Sequence, residues 1–215
     1  IYIYIMDRSK ILNSMIELQR ITSDVNFNQT LELQIILKGY DTKKDKIIIG
    51  TQILPNPQKP NKNICIIGDL KHINEAIEHG YKYMDINSLK EFNREKKQIK
   101  KFIKNYDGFV ASDTIIRKIP KLLGPMINKY GKFPTIVTDN DNLSQKIKEV
   151  EQSVKWRFKK KHFCHNAVGH QGLTNEQLTD NVIKSINYIR SLLKPNQEIE
   201  KAVIKFTMGP PKIII

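Results

Sequence analysis

Apolar residues follow two different rhythms along this chain, and the changes of rhythm divide it into three parts. Near the start, Ile11, Met15, Leu18 and Ile21 recur at helical spacing, which predicts an amphipathic helix over about residues 7–21. Leu31, Leu33, Ile35 and Leu37 then alternate with more polar neighbours in TLELQIILK, residues 30–38. That alternation is the signature of a strand with one face buried. PNPQKPNKN, residues 55–63, holds three prolines and ends the segment as a linker or exposed loop.

The middle part has no alternation. NICIIGD (63–69) is a short apolar run of the kind found in a parallel strand covered on both faces. A helical stretch at about 70–79 and YKYMDI (81–86) follow. One helix is then expected to carry Leu89, Phe92, Ile99 and Ile103 on one side, with Lys90, Arg94, Lys97, Lys101 and Lys104 around the others. GFVAS (108–112), a helix, PTIVT (134–138) and a helix to about residue 152 complete a series of short strands alternating with helices.

Period two then returns. Val154, Trp156 and Phe158 face one way, while Lys155, Arg157 and Lys159 face the other. HFCHNAVGH (162–170) is a further strand. A helix over 174–194 opens with a capping box, Thr174 with Gln177, and carries the stripe Leu178, Val182, Ile186, Ile189 and Leu193. A last strand over about 200–208 runs into TMGPP. The implied fold class is α/β with two domains. A discontinuous terminal α+β domain, mostly antiparallel sheet, takes residues 1–62 and 154–215, and a Rossmann-like parallel-sheet α/β domain, 63–153, is inserted in it. The two chain crossings, near 62 and near 154, would then form a hinge.

Charge narrows the function. Thirty-six Lys and Arg against 22 Asp and Glu give a net +14 over 215 residues. Such an excess points to a polyanionic partner, nucleic acid before anionic membrane. The competing reading is a soluble basic chain whose Lys, Ile and Asn content is compositional. No apolar run approaches the roughly 18–20 residues of a membrane span, so no membrane association is expected. The N-terminus lacks a basic segment followed by an apolar one. Met6 reads as a natural start, with residues 1–5 an upstream artefact set aside from function. Cys65 and Cys164 fit reduced thiols of an intracellular protein. His162, Cys164 and His165, with His170 nearby, lack the paired spacing of a zinc site and read as strand, so no metal is expected.

Catalysis finds little support. The central part contains neither GxGxxG nor GxxxxGK[ST], and Gly68-Asp69 after a buried strand is too little for a phosphate cradle. LGPMINKYGKFP (123–134) spaces its glycines too widely for one. No nucleophile–base set and no paired carboxylates in an apolar setting emerge. The chain is expected not to be an enzyme and to need no cofactor; the alternative from that class is a nucleotide-dependent enzyme on the central domain. For RNA, the basic face of Lys155, Arg157 and Lys159 competes with an ordinary solvated strand face. Thr207, Met208 and Gly209 offer a small donor-acceptor, an adaptable apolar contact and a backbone open to close approach. These suit nucleotide edges and 2′-hydroxyls in a shallow minor groove, against the plainer reading of a loop with a capping threonine.

Seven colinear stretches together resemble one family. They are QTLELQIILKGYDTKKDK (29–46), ICIIGDLKH (64–72), MDINSLK (84–90), YDGFVASDTIIRKIPKLLGP (106–125), NKYGKFPTIVT (128–138), AVGH (167–170) and TMGPP (207–211). The set is similar to the universal ribosomal protein family called L-one, known in eukaryotic cytoplasmic ribosomes as L-ten-a. YDGFVAS and GKFP lean toward the eukaryotic branch. The resemblance implies two α/β domains, the second inserted in the first, and a first domain that clamps a folded junction of large-subunit rRNA. The RNA contacts it implies are Phe27, Thr30 and Glu32, the loop Thr207, Met208 and Gly209, and the turn at Gly169 and His170. It further implies a monomer within the large subunit, in a stalk that swings against the exit-site tRNA and aids its release, cytoplasmic but nucleolar during assembly. An mRNA-binding autoregulator using the same surface is the alternative among binding proteins.

Three departures stand out. Where relatives have a basic run before the aromatic, this chain has Ser23, Asp24, Val25 and Asn26. Phe206 replaces a small hydroxyl residue before the TMG loop, and Met126-Ile127 follows LGP where a glycine is common.

Overall fold

The strongest period-two stretch becomes the centre of the first sheet. In the computed structural model, which describes residues 8–22, 25–41, 43–92, 95–138, 141–158 and 161–215, strand β1 (Thr30–Lys38) buries Leu31, Leu33, Ile35 and Leu37. Residues 1–5, Asp24 and Lys159 lie outside the described residues. β1 pairs antiparallel on one side with β8 (Phe163–His170) and on the other with β9 (Glu198–Phe206). β10 (Lys212–Ile213), which the sequence pattern does not foretell, returns against β9 and gives the order β10-β9-β1-β8. Helices α1 (Arg8–Ile21) and α9 (Asn175–Leu192) supply Ile11, Met15, Leu18, Leu178, Val182, Ile186 and Ile189 to the core on the inner face. The capping box at Thr174 forms, its hydroxyl accepting from Gln177 N–H while the Gln177 side chain answers the Thr174 N–H.

One residue of the α1 stripe is misplaced by spacing alone. Ile21 is 58% exposed, and Ser14 lies inside instead. The hydroxyl of Ser14 donates to Lys10 O within the helix, so its burial leaves no polar group unmatched.

A separate two-stranded sheet joins β2 (Ile48–Ile53) antiparallel to β7 (Ser153–Phe158). β7 follows its alternation, with Val154, Trp156 and Phe158 in the core and the Trp156 indole N–H donating to buried Gln52. β2 is missed by the pattern because Ile47, Ile48 and Ile49 run together and Gly50 interrupts. Gly50 is required by close approach: a Cβ there would stand 2.5 Å from the Tyr188 hydroxyl, which donates to Thr51 O.

The middle segment forms its own parallel sheet. β3 (Ile64–Ile67), β4 (Lys82–Met84), β5 (Gly108–Ser112) and β6 (Thr135–Val137) align in the order β4-β3-β5-β6. All four residues of β3 are buried, as a strand covered on both faces requires. One face packs on α2 (Leu70–Glu78) and α8 (Leu143–Gln152) through Ala76, Leu143, Ile147 and Val150. The other packs on a layer of short helices: α3 (Ile86–Glu91), α4 (Lys96–Asn105), α5 (Asp113–Ile116), α6 (Ile119–Leu123) and α7 (Met126–Lys129).

Two expectations need correction here. The single helix bearing Leu89, Phe92, Ile99 and Ile103 is two, because Glu95 is extended and starts α4 afresh. Its apolar side chains still share one cluster, with the Phe92 and Phe102 rings 5.3 Å apart. The single helix after β5 is three, broken by Pro120 early in α6 and by Gly124-Pro125, where Gly124 takes φ 61°.

The chain divides into two compact units, Ile1–Pro60 with Gln152–Ile215, and Asn61–Glu151. The fold class is therefore α/β, with an antiparallel sheet built from both chain ends and a parallel sheet in the middle.

Candidate RNA interface

The two segments singled out as RNA contacts, 27–32 and 207–209, meet where β1 begins and β9 ends. Thr207 N–H donates to Thr30 O at 3.1 Å, and the Thr207 hydroxyl lies 3.3 Å from both Thr30 N and Thr30 O. Gln29, wholly buried, ties a third segment to these two. Its side-chain oxygen accepts Met208 N–H at 3.1 Å and its backbone carbonyl accepts Gln171 N–H at 2.8 Å. Held this way, Met208 is 62% exposed and Phe27 51% exposed at the same end of the sheet.

Gly209 has a structural reason of its own. Its N–H returns to Phe206 O at 3.0 Å, and a Cβ would stand 2.7 Å from the Thr22 hydroxyl just beyond α1. That hydroxyl is already spent on Leu18 O at 2.6 Å, so the turn seats on the helix end only as glycine. Phe206 points away from the surface, 1% exposed in the core. A small hydroxyl at this position would lie beneath the turn, and the phenyl ring fills that space instead.

Gly169 and His170 sit behind the exposed residues. A Cβ on Gly169 would fall 2.4 Å from Leu178 Cδ2, so this glycine lets α9 approach β8. His170 is 9% exposed; its Nδ1 accepts Gly172 N–H at 3.1 Å, and Asn28 Nδ2 donates to it at 3.3 Å. Two donors on one ring nitrogen assign the neutral tautomer with its proton on Nε2. Burial holds the His170 pKa below the ordinary histidine value. Its place is to brace Asn28, next to Phe27.

The basic residues occupy the outer faces of the strands. Lys155 and Arg157 are exposed on β7, opposite Thr51 and Ile49 of β2. Though exposed, the Lys155 ammonium is shielded enough by surrounding chain to lower its pKa. Asn166 on β8 donates to Lys155 O, and Asn166 pairs with Leu33, which places Lys155 three residues along β1 from Thr30. Measured along the strand direction alone, that offset is about 10 Å, with β8 lying between β7 and β1. Glu32 is half-buried on the outer face of β1, opposite Lys205 on β9.

Several residues of this end escape a reading from sequence. Lys201 and Lys205 alternate with buried Ala202, Ile204 and Phe206, a period-two pattern in EKAVIKF that could have placed them on the outer face. Gln29, Asn28 and Thr22 give no such signal, because their roles depend on partners far away in the chain. The arrangement offers exposed thioether and phenyl contacts, a small hydroxyl at a strand end and flanking cations. It can meet an RNA surface without catalytic chemistry. The thiols add no nucleophile: burial pushes Cys65 up to about 12 and raises Cys164. Among the described residues no three His, Cys, Asp or Glu side chains gather to hold a metal, and no helix is long and apolar enough to cross a membrane.

Comparison with known proteins places this geometry. The model of the Ribosomal protein L1p/L10e family matches residues 18–210. Large ribosomal subunit protein uL1 of Neurospora crassa is 45% identical over 202 residues, covering 94% of this chain and 93% of that protein. The uL1z protein of Arabidopsis thaliana is 44% identical over 190 residues, 88% of each chain, and uL1 of Caenorhabditis elegans is 45% identical over 187 residues, 86% of this chain and 87% of its own. The matched span runs from within α1 through the turn at Thr207, Met208 and Gly209, and the chain belongs to the Ribosomal protein L1p/L10e family.

Proposed function

We propose that this chain is a structural, non-catalytic constituent of the large ribosomal subunit. It grips a folded rRNA junction with the end of its antiparallel sheet and sits in a stalk beside the exit-site tRNA, whose release it aids. The observation that carries the reading is the direct bonding of Thr207 to Thr30, 177 positions apart, with Gln29 fixing Met208 beside them. Two stretches that resemble the family's RNA-contacting segments thereby form one surface, with Phe27 and Met208 exposed on it. Thr30, Thr207 and the Met208 thioether meet ribose and base edges; Lys155, Arg157 and, outside the described residues, Lys159 meet phosphates. Glu32 stands opposite Lys205 across the strand pair, while Gly169, His170 and Gly209 shape the backbone beneath.

Sedimentation of the tagged protein with large subunits tests this. Co-sedimentation at low salt and release at moderate salt are expected, because phosphate contacts weaken with ionic strength. A protein found only in a ribosome-free pool at every salt concentration would refute the assignment.

A further inference from the structure

The two helical layers of the middle unit differ in charge far more than their shared composition explains. Helices α3 to α7 carry eight basic and two acidic residues, whereas α2 and α8 together carry three basic and four acidic. A bias toward lysine across the whole chain would load both layers alike. The excess concentrates on α4, where Lys96, Lys97, Lys100, Lys101 and Lys104 are all exposed around the buried stripe Ile99, Phe102 and Ile103. Among the described residues none of these five lysines forms an ion pair.

Their placement works against the helix that holds them. Lys96 and Lys97 stand in a first turn that contains no acidic residue, facing the positive end of the helix dipole. Lys96 with Lys100, Lys97 with Lys101 and Lys100 with Lys104 are like-charged pairs four apart, a spacing that destabilises a helix. Lys132 shows the contrasting use of a lysine in the same layer. Its ammonium donates to Ile103 O and Tyr106 O at the other end of α4, where a cation stabilises. The five exposed lysines have no such structural return.

We propose that the outer face of α4 is a second polyanion-binding surface, fitted to the phosphate backbone of a folded RNA and independent of the junction site on the other unit. Lys97, Lys101 and Lys104 line one edge of the helix over roughly 10 Å, with Lys96 and Lys100 beside them. Such a line spans about three phosphates along a strand. Contacts of this kind position an RNA and carry no sequence preference. A lipid surface is the poorer fit, since interfacial helices need apolar side chains to insert. None of the exposed large hydrophobic residues among the described ones lies on α3 to α7, whereas Leu70 and Ile77 on α2 are exposed.

The test uses the full chain with Lys97→Gln, Lys101→Gln and Lys104→Gln together, against a charge-matched control with Lys71→Gln, Lys146→Gln and Lys148→Gln. The probe is a labelled RNA duplex of about 20 base pairs without a junction, titrated at several salt concentrations, with thermal melts of both proteins. The α4 variant should lose about tenfold in duplex affinity and lower the salt slope by about two to three, while the control changes less than about twofold. Junction affinity should stay within about threefold in both, so that this result and the junction assignment stand or fall separately. Equal losses in the two triple variants would reduce the surface to net charge and overturn the proposal, as would an unchanged α4 variant. Loss of binding to phosphatidylserine vesicles, with duplex binding intact, would overturn it in favour of a membrane.

Discussion

The two four-stranded sheets of this protein solve the same burial problem in opposite ways, and the difference decides what each can present to a partner. The parallel sheet is covered on both faces, by α2 and α8 on one side and by α3 to α7 on the other. Its central strands β3 and β5 have almost no side chain left for recognition, so anything it binds must meet the edge strands β4 and β6, the outsides of helices or the loops. The sheet around β1 buries only one face and leaves Glu32, Lys201 and Lys205 on the other, with Thr30 and Thr207 at one end. Strand side chains at fixed spacing, braced from beneath, make the more discriminating surface, while a helix studded with lysines makes a permissive one.

The largest effect that should separate the two units comes from equal damage to their cores. Trp156, on the inner face of β7, and Phe109, within β5, are both essentially buried. Replacing either by alanine should cost about 3–5 kcal/mol. Near the melting temperature of the parent protein, where a loss of this size leaves about 1% or less of the variant's unit folded, Trp156→Ala should lower junction affinity by about 100-fold, because the surface loses its floor. Phe109→Ala should leave it within about threefold. Equal losses, read by binding titrations beside circular dichroism melts, would mean that the units do not divide the work in this way.

Next in size is the exposed turn itself. Met208→Asp sets a carboxylate near phosphates and should reduce junction affinity about 30-fold, roughly 2 kcal/mol, with no change in melting temperature. Gly209→Val should do as much by a different route, since its branched side chain collides with Thr22 and displaces the turn. It should therefore also lower the melting temperature, by about 2–4 °C for each kcal/mol lost. If both changes left affinity within about threefold, the turn would be an ordinary loop with a capping threonine. Gln29→Leu sharpens the point one layer deeper. It removes the acceptor of Met208 N–H, and about 1–3 kcal/mol of stability should go with it. Junction affinity should fall about tenfold while the salt slope stays unchanged, because no phosphate contact is lost.

A smaller effect is expected on the strand face. Lys155→Ala should lower affinity for junction and duplex RNA alike by about threefold and reduce the salt slope by about one. A selective loss on the junction alone would make Lys155 a reader of shape rather than a positioning cation.

The same contrast between sheets explains what the sequence made legible. A half-covered sheet writes its burial into the chain as alternation, and β1 and β7 could be drawn residue by residue from that rhythm. A doubly covered sheet writes only short apolar runs, enough to place β3 and β5 and, with helical spacing, α2 and α8, but not where the helices of the other layer break. Hence one expected helix proved to be α3 and α4, and another α5, α6 and α7, divided by local backbone geometry at Glu95, Pro120 and Gly124. Of the candidate interface, Thr207, Met208 and the cations of β7 were named from residue type, whereas Phe27 and Thr30 came only through the family resemblance. The bracing was not legible: Gly209 answers to Thr22, Gly169 to Leu178 and Gln29 to Met208. Two of these pairings are long-range and the third spans a strand and a helix, so no local pattern encodes them.

The smallest effect should come from pH, acting through the brace on Asn28. His170 Nδ1 accepts from Gly172 N–H and from the Asn28 amide, so the folded protein favours the neutral ring, and burial lowers its pKa from the usual 6.5. The sign follows from proton uptake. As pH falls below about 6.5, an unfolded chain protonates this histidine while the folded chain resists, so the unfolded state gains and stability drops. Protonation of Nδ1 in the folded chain, at lower pH still, removes the acceptor and frees Asn28 beside Phe27. Between pH 7.5 and 5.5 the melting temperature should therefore decline by about 1–3 °C more than in His170→Asn, whose side-chain oxygen can stand where Nδ1 accepts and does not titrate. The other four histidines are common to both proteins and cancel from the difference. Junction affinity, measured over the same range, should weaken by no more than about twofold in the parent chain and stay flat in the variant. Identical pH profiles for the two proteins would assign the decline to other groups and leave His170 a packing residue alone.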